Sequence, residues 1–262
     1  MQFGDLHLKQ CRHGWMLYPL GPLYVGKCLD FYGQYSEGEV ALLRAMLRQG
    51  DIAIDVGANI GALTVPMSQI VGPDGRVYAV EADAPTFNVL CANLALNGIR
   101  NARPVYGWVT AGDSSGAPSP PAGDASPVPA IALDALDLPA CALIKVDVDG
   151  GELDVFRSGE MQIERFRPLL YFENELREKS ADLLSFVMDT LGYRVYFHPT
   201  PLFDPDNFAG NPVNHWAPTE FVSMMMLAVP KERKAAVQLK PLSGIHDWWD
   251  FSAPIASYYT ST

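Results

Sequence analysis

Seven consecutive residues, Asp55-Val56-Gly57-Ala58-Asn59-Ile60-Gly61, carry the sharpest chemical signal in the chain. Glycines at Gly57 and Gly61 let a backbone turn tightly and approach a ligand with no side chain in the way. A helix beginning just beyond them offers free N–H donors to an anionic group. Glu81 follows about 20 residues after the last glycine, where its carboxylate suits the hydroxyls of a ribose. A strand, a glycine turn, a helix and a second strand ending in an acid together describe an adenosine-ligand site. Spacing narrows the ligand. A dinucleotide site wants G-x-G-x-x-G, whose middle glycine clears room for a pyrophosphate. Asn59 stands in that place, and its polar side chain would crowd one. Asp55, ahead of the turn, better suits a ligand bearing an ammonium group, such as the methionine end of S-adenosylmethionine. Asp55, Gly57, Asn59, Gly61 and Glu81 are therefore the expected cofactor-binding residues.

Methyl transfer from a sulfonium is an in-line displacement, so much of its acceleration comes from holding the acceptor on the far side of the methyl group. A hydroxyl acceptor must also lose its proton to a carboxylate or histidine, or with a cation's help. Asp147, closing a strand-like run, is the first candidate to orient or deprotonate the acceptor. Lys145, two residues earlier, shares its face of the strand and is read chiefly as a salt-bridge partner. His198 closes a later strand and is the second base candidate, although a histidine at a strand end is more often structural. Asp149 followed by Glu152 reads as an N-cap and its partner. With Glu173 and Glu175 these acids would make a carboxylate-rich cleft fit for a hard divalent cation. No strict ligand spacing supports that, so no metal residue is assigned.

The elements that must position these residues follow from the pattern of the chain. Strand-like runs occur at 51–56, 76–81, 102–106, 142–147, 169–173, 193–198 and 221–229, and helix-like runs at 61–71, 84–97, 152–158 and 179–191. Alternation of this kind predicts a doubly wound, largely parallel α/β sheet covered on both faces. Upstream, Ser36 and Glu39 have capping-box spacing before an apolar stripe of Val40, Leu43 and Leu47. Residues 1–35 read as a hairpin-like extension rich in aromatics, 36–230 as the main domain and 231–262 as a tail. The tract 112–130, crowded with Pro, Gly and Ser, cannot bury apolar surface and is expected to be a mobile loop inserted in the domain.

Composition excludes several classes. Lysine and arginine total 19 against 30 aspartate and glutamate in 262 residues, a formal net charge of −11. Such a surface repels phosphate backbones and anionic lipid, so the expected partner is a small molecule or glycan, not nucleic acid or membrane. The apolar run 222–229 is too short to span a bilayer, and charged residues near the N-terminus leave no apolar signal-peptide region. Four cysteines without C-x-x-C spacing read as free thiols, hence a cytoplasmic setting. Trp248-Trp249 is placed to cover the cofactor or another subunit of a homo-oligomer.

Taken in order, D-V-G-A-N-I-G at 55–61, Glu81, Leu133-Asp134, K-V-D-V-D-G-G-E at 145–152, Arg167-Pro168, Glu173 and P-L-F-D-P-D-N-F at 201–208 resemble the FkbM family of S-adenosylmethionine-dependent methyltransferases. The resemblance runs from about Tyr32 to Pro230. It implies a class I methyltransferase fold, Rossmann-like, with a mostly parallel seven-stranded sheet whose last strand is antiparallel. It also implies O-methylation of a sugar, polyketide or other small metabolite. Two features depart from the family: Asp149 stands where Glu is common, and the Pro/Gly/Ser tract replaces a polar motif. These departures motivate one rival, a non-catalytic cofactor-binding module of the same fold. A nicotinamide-dependent dehydrogenase is the other, weakened by the missing middle glycine.

Overall fold

In the computed structural model, residues 2–21, 24–112, 128–217, 222–234 and 237–260 are described. The central sheet has seven strands: β4 (Ile52–Val56), β5 (Arg76–Glu81), β6 (Ala102–Tyr106), β9 (Leu143–Val146), β10 (Leu169–Glu173), β11 (Tyr193–Pro201) and β12 (Val222–Pro230). Their order is β11-β12-β10-β9-β4-β5-β6. The pairs β4–β5, β5–β6 and β9–β10 are parallel, and β12 runs antiparallel to β10. This is the expected α/β class I methyltransferase-like architecture, with the antiparallel strand last in the chain. β4, β9 and β10 are almost continuously buried, as strands covered on both faces must be.

The chain divides into two compact units, Met1–Tyr106 with Thr200–Ser223, and Gly107–Pro199 with Met224–Thr262. In the first, β1 (Gln2–Phe3), β2 (Leu6–Cys11) and β3 (Gly14–Pro19) form a separate antiparallel sheet, followed by helices α1 (Tyr24–Tyr32) and α2 (Glu37–Met46). The N-terminal extension is thus a three-stranded sheet plus a helix, more than the hairpin read from sequence. Its aromatics divide: Tyr18 and Tyr32 are buried and Phe31 stacks on His215 with ring centroids 4.0 Å apart, while Trp15 and Tyr24 are exposed. Helix α3 (Thr64–Val71) follows β4, and α4 (Ala84–Leu96) follows β5. Asp83 caps α4 by accepting from the Thr86 N–H at 3.0 Å, and Gly98, at φ 62°, ends the turn beyond it. At α2 the capping box takes another form. Ser36 is left-handed, and its hydroxyl donates to Glu39 Oε1 at 2.7 Å in place of accepting from the backbone.

In the second unit, β7 (Trp108–Val109) and β8 (Ala130–Ile131) make a two-stranded parallel sheet. The Pro/Gly/Ser tract connects them, and residues 113–127 of that expected mobile loop lie outside the described residues. Helices α5 (Glu152–Ser158), α6 (Glu160–Phe166) and α7 (Arg177–Ser185) cover the strands. A single π-helical turn, Phe186–Thr190, prolongs α7. The tail is packed into this unit. Trp249 is buried against Phe197 and Tyr258, and its indole N–H donates to the Asn174 carbonyl at 2.8 Å. Trp249 is thereby used by the fold of its own unit, not held out for a ligand or a second subunit. Among the described residues no helix is long and apolar enough to cross a membrane. All four cysteines are free.

Candidate functional site

The turn after β4 is built from backbone conformations that few side chains tolerate. Gly57, Asn59 and Gly61 have φ of 74°, 50° and 87°, all in the left-handed region. Glycine enters it without strain, and asparagine more readily than other residues. A Cβ on Gly61 would come within 2.8 Å of Leu90 Cδ1 on α4, so the turn also needs glycine there for space. The Gly57 and Ala58 N–H groups both donate to the Val80 carbonyl at 3.0 Å, fastening the turn to the end of β5.

Glu81 ends β5, and its carboxylate is bound by the backbone around it. Oε2 accepts from the Asn59 N–H at 2.8 Å, and Oε1 accepts from the Ala82 and Asp83 N–H groups, each at 2.8 Å. A carboxylate has roughly four lone-pair positions, so about one is left for a ligand hydroxyl. Glu81 therefore serves the turn first, holding Asn59 in its left-handed conformation. Burial raises its carboxyl above the ordinary range, and the three N–H donors pull in the other direction.

Asp55 is placed differently from a ligand-facing acid. It is 0% exposed, and its Oδ2 accepts from the Thr64 hydroxyl at 2.6 Å, joining β4 to the first residue of α3. Its carboxylate faces protein, so here it supports the turn from beneath. S-adenosylmethionine fits this set of residues. Gly57 brings no Cβ to the turn, Glu81 retains an acceptor for a hydroxyl, and the Asn59 Oδ1 accepts from the Ile60 N–H at 2.8 Å within the turn. Gly57, Asn59, Gly61 and Glu81 would hold the cofactor directly, with Asp55 behind them.

The second unit gathers the carboxylates. Asp147 directly follows β9, one-third exposed, with Oδ2 3.7 Å from the buried Lys145 ammonium. Asp149, Glu173 and Glu175 bring one oxygen each within 4.8 Å of one another, a spacing at which a hard cation could be held. Glu173 is pushed far above the carboxylate range by burial, then by the negative charges of Asp147 and Glu175 and a hydrogen bond with Asp147. Asp149 and Glu175 are raised as well, burial first and neighbouring acids second. Glu173 thus keeps its proton above the ordinary carboxylate range, because burial and neighbouring negative charges disfavour its ionised form.

Three residues differ from their sequence reading. Asp149 is not the N-cap of α5. Gly151 holds that position, while Asp149 sits at φ 52° with its carboxylate in the acid cluster. Glu152 turns back instead, its Oε1 accepting from the Val148 and Gly150 N–H groups at 3.2 and 3.1 Å. His198 lies within β11, which runs on to Pro201, and is buried, with Nδ1 2.8 Å from the Tyr171 hydroxyl. Burial lowers its pKa to about 4, so it is neutral near pH 7 and turned to protein. Glu173 was legible only as one acid among several. Its position is the signal, since it ends β10 as Glu81 ends β5.

Comparison with known proteins places the chain. The sequence model of the FkbM methyltransferase domain matches residues 55–196, more than half of the chain. A probable cobalt-precorrin-6B C(15)-methyltransferase (decarboxylating) of Saccharolobus solfataricus is 32% identical over 62 residues, 24% of this chain and 31% of that protein. A tRNA(Phe) (4-demethylwyosine(37)-C(7)) aminocarboxypropyltransferase of Methanocaldococcus jannaschii is 28% identical over 74 residues, 27% of this chain and 29% of that protein. The chain thus spans only about a third of the length of the curated relatives it matches. Among solved structures, the methyltransferase FkbM of Methylobacillus flagellatus aligns with TM-score 0.48 and 15% identity, covering 70% of this chain and 45% of that one. The precorrin-6Y C5,15-methyltransferase of Geobacter metallireducens aligns with TM-score 0.49 and 16% identity, over 72% and 87%. With the glycine turn and its acid built as described and the domain matched from that turn onward, the chain belongs to the FkbM methyltransferase-domain family.

Proposed function

We propose that the protein transfers a methyl group from S-adenosylmethionine to an oxygen of a small metabolite, sugar or natural product. The observation that carries the oxygen assignment is the position of Asp147, a partly exposed carboxylate directly after β9 and 3.7 Å from the buried Lys145 ammonium. A hydroxyl is a poor nucleophile until its proton is taken, and a partly exposed carboxylate at a strand end is a group suited to take it. When bound, S-adenosylmethionine supplies an electrophilic sulfonium methyl. The chain's own part is to orient the cofactor through Glu81 and the 57–61 turn and to receive the acceptor's proton at Asp147. Lys145 keeps Asp147 oriented by charge, at 3.7 Å. His198, paired with Tyr171, has a supporting role in the strand layer.

Calorimetry with S-adenosylmethionine, S-adenosylhomocysteine and NAD in parallel, with and without magnesium, tests the first half. Saturable binding of the first two alone is the expected result. Binding of NAD alone overturns the reading and favours the dehydrogenase. Tighter binding with magnesium would point to Asp149, Glu173 and Glu175 as cation ligands. A screen of hydroxylated acceptors with radiolabelled methyl donor tests the second half, and binding with no transfer to any acceptor favours the non-catalytic module.

A further inference from the structure

Asn93 in helix α4 and Asn97 at its C-cap, one turn on, both face the free edge of β3 in the N-terminal sheet. Asn93 Oδ1 accepts from the Leu17 N–H at 2.7 Å, and its Nδ2 donates to the Leu17 carbonyl at 2.9 Å. Asn97 repeats the pattern two residues earlier on β3, accepting from the Trp15 N–H at 2.8 Å and donating to the Trp15 carbonyl at 2.7 Å. Each amide satisfies one residue as a neighbouring strand would, so the pair closes a sheet edge that would otherwise stand unpaired.

The two differ in their last hydrogen bond. Asn97 spends it on its own helix, at the Asn93 carbonyl. Asn93 donates instead to the Ile60 carbonyl at 2.8 Å, inside the glycine turn. That peptide lies between left-handed Asn59 and Gly61, where no strand ladder or helix holds it. Beyond its backbone bonds to Val80, the turn is then gripped by two side chains, the Asn59 N–H by Glu81 and the Ile60 carbonyl by Asn93. Asn93 is wholly buried, with its oxygen and both amide hydrogens engaged. Ala58 and Ile60 of the turn also share one apolar cluster with Cys11, Met16 and Tyr18 of the N-terminal sheet.

We propose that Asn93 is a positioning residue for the cofactor turn, and that through it the N-terminal sheet forms part of the cofactor site's support. This rests on the 57–61 turn being the cofactor site. The paired variants Asn93→Ala and Asn97→Ala separate positioning from docking, because each removes an equivalent pair of bonds to β3, at Leu17 and at Trp15, and only the first frees Ile60. In Asn93→Ala, affinity for S-adenosylhomocysteine falls about tenfold, the worth of one well-made hydrogen bond, and in Asn97→Ala it stays within about twofold. In protein labelled with nitrogen-15 glycine, the Gly57 and Gly61 amide resonances move in the first variant and hold their positions in the second. Equal losses of affinity, or unmoved glycine resonances in Asn93→Ala, overturn the proposal. Should Asn93→Ala fail to fold, Asn93→Ser takes its place, its hydroxyl being too short to reach Ile60. If the native protein binds no S-adenosylhomocysteine, the cofactor reading fails, while the resonances still decide whether Asn93 holds the turn.

Discussion

Replacing Glu81 by glutamine keeps the length of the side chain and removes one acceptor and the charge. In the native turn, Oε1 takes two N–H donors, from Ala82 and Asp83, and Oε2 takes the Asn59 N–H. The amide will turn its oxygen toward the pair, leaving its NH2 against the Asn59 N–H, donor facing donor. One charge-assisted bond, worth about 1.5–3 kcal/mol, is lost outright, and two others drop to neutral strength, about 1 kcal/mol each. Glu81 is half-buried, so water recovers part of this. The expected net loss of stability is about 2 kcal/mol. The spare acceptor position, on Oε2, becomes part of the NH2 group, which removes the charged acceptor for a ribose hydroxyl and lowers cofactor affinity roughly tenfold. Urea unfolding and calorimetry with S-adenosylhomocysteine measure the two effects separately. Affinity within about threefold of native alongside lost stability would show that the acid serves only the turn. Unchanged stability would refute the claim that it holds Asn59.

Asp147→Asn should lower turnover by about 100-fold or more while calorimetric affinity for the cofactor stays within about threefold, in keeping with the loss of a general base; intact turnover places the base elsewhere. Folded protein keeps a proton on Glu173 that the unfolded chain releases around its ordinary value of 4.5. Rising pH above that point therefore favours unfolding, by up to about 1.4 kcal/mol per pH unit. Glu173→Gln should flatten this slope in urea titrations from pH 5 to pH 8, and an unchanged slope removes Glu173 as its source. His198 has the reverse sign: the folded state resists protonation between its ordinary 6.5 and about 4, so its contribution is present above pH 6.5 and lost as pH falls. His198→Gln should retain turnover and soften that acid loss, whereas a collapse of turnover with the fold intact would restore the histidine as a base.

Much of the architecture was legible because parallel strands buried on both faces read as apolar runs with sharp ends. β5, β6, β10 and α5 fall on the residues expected, bounded by Glu, Gly or Pro. Helices α1 and α6 were missed. The first lies among aromatics that read as strand, and the second follows α5 with only Gly159 between them. The glycine turn and its acid were visible as a spacing, since positive φ leaves its mark on residue type.

Chemistry at a strand end is a matter of residue type and position, and those are written in one dimension. The sequence by itself determined the α/β order, the left-handed turn at 57–61, the acid at its far strand and the family. Tertiary structure decided what each polar group faces. It buried Asp55 under Thr64 and turned His198 onto Tyr171. It moved Asp149 from a helix cap into the acid cluster beside Glu173. It also brought Asn93 to Ile60 across 33 residues of chain. Such contacts depend on how helices and strands pack, and a buried polar group must find its partner wherever packing puts one.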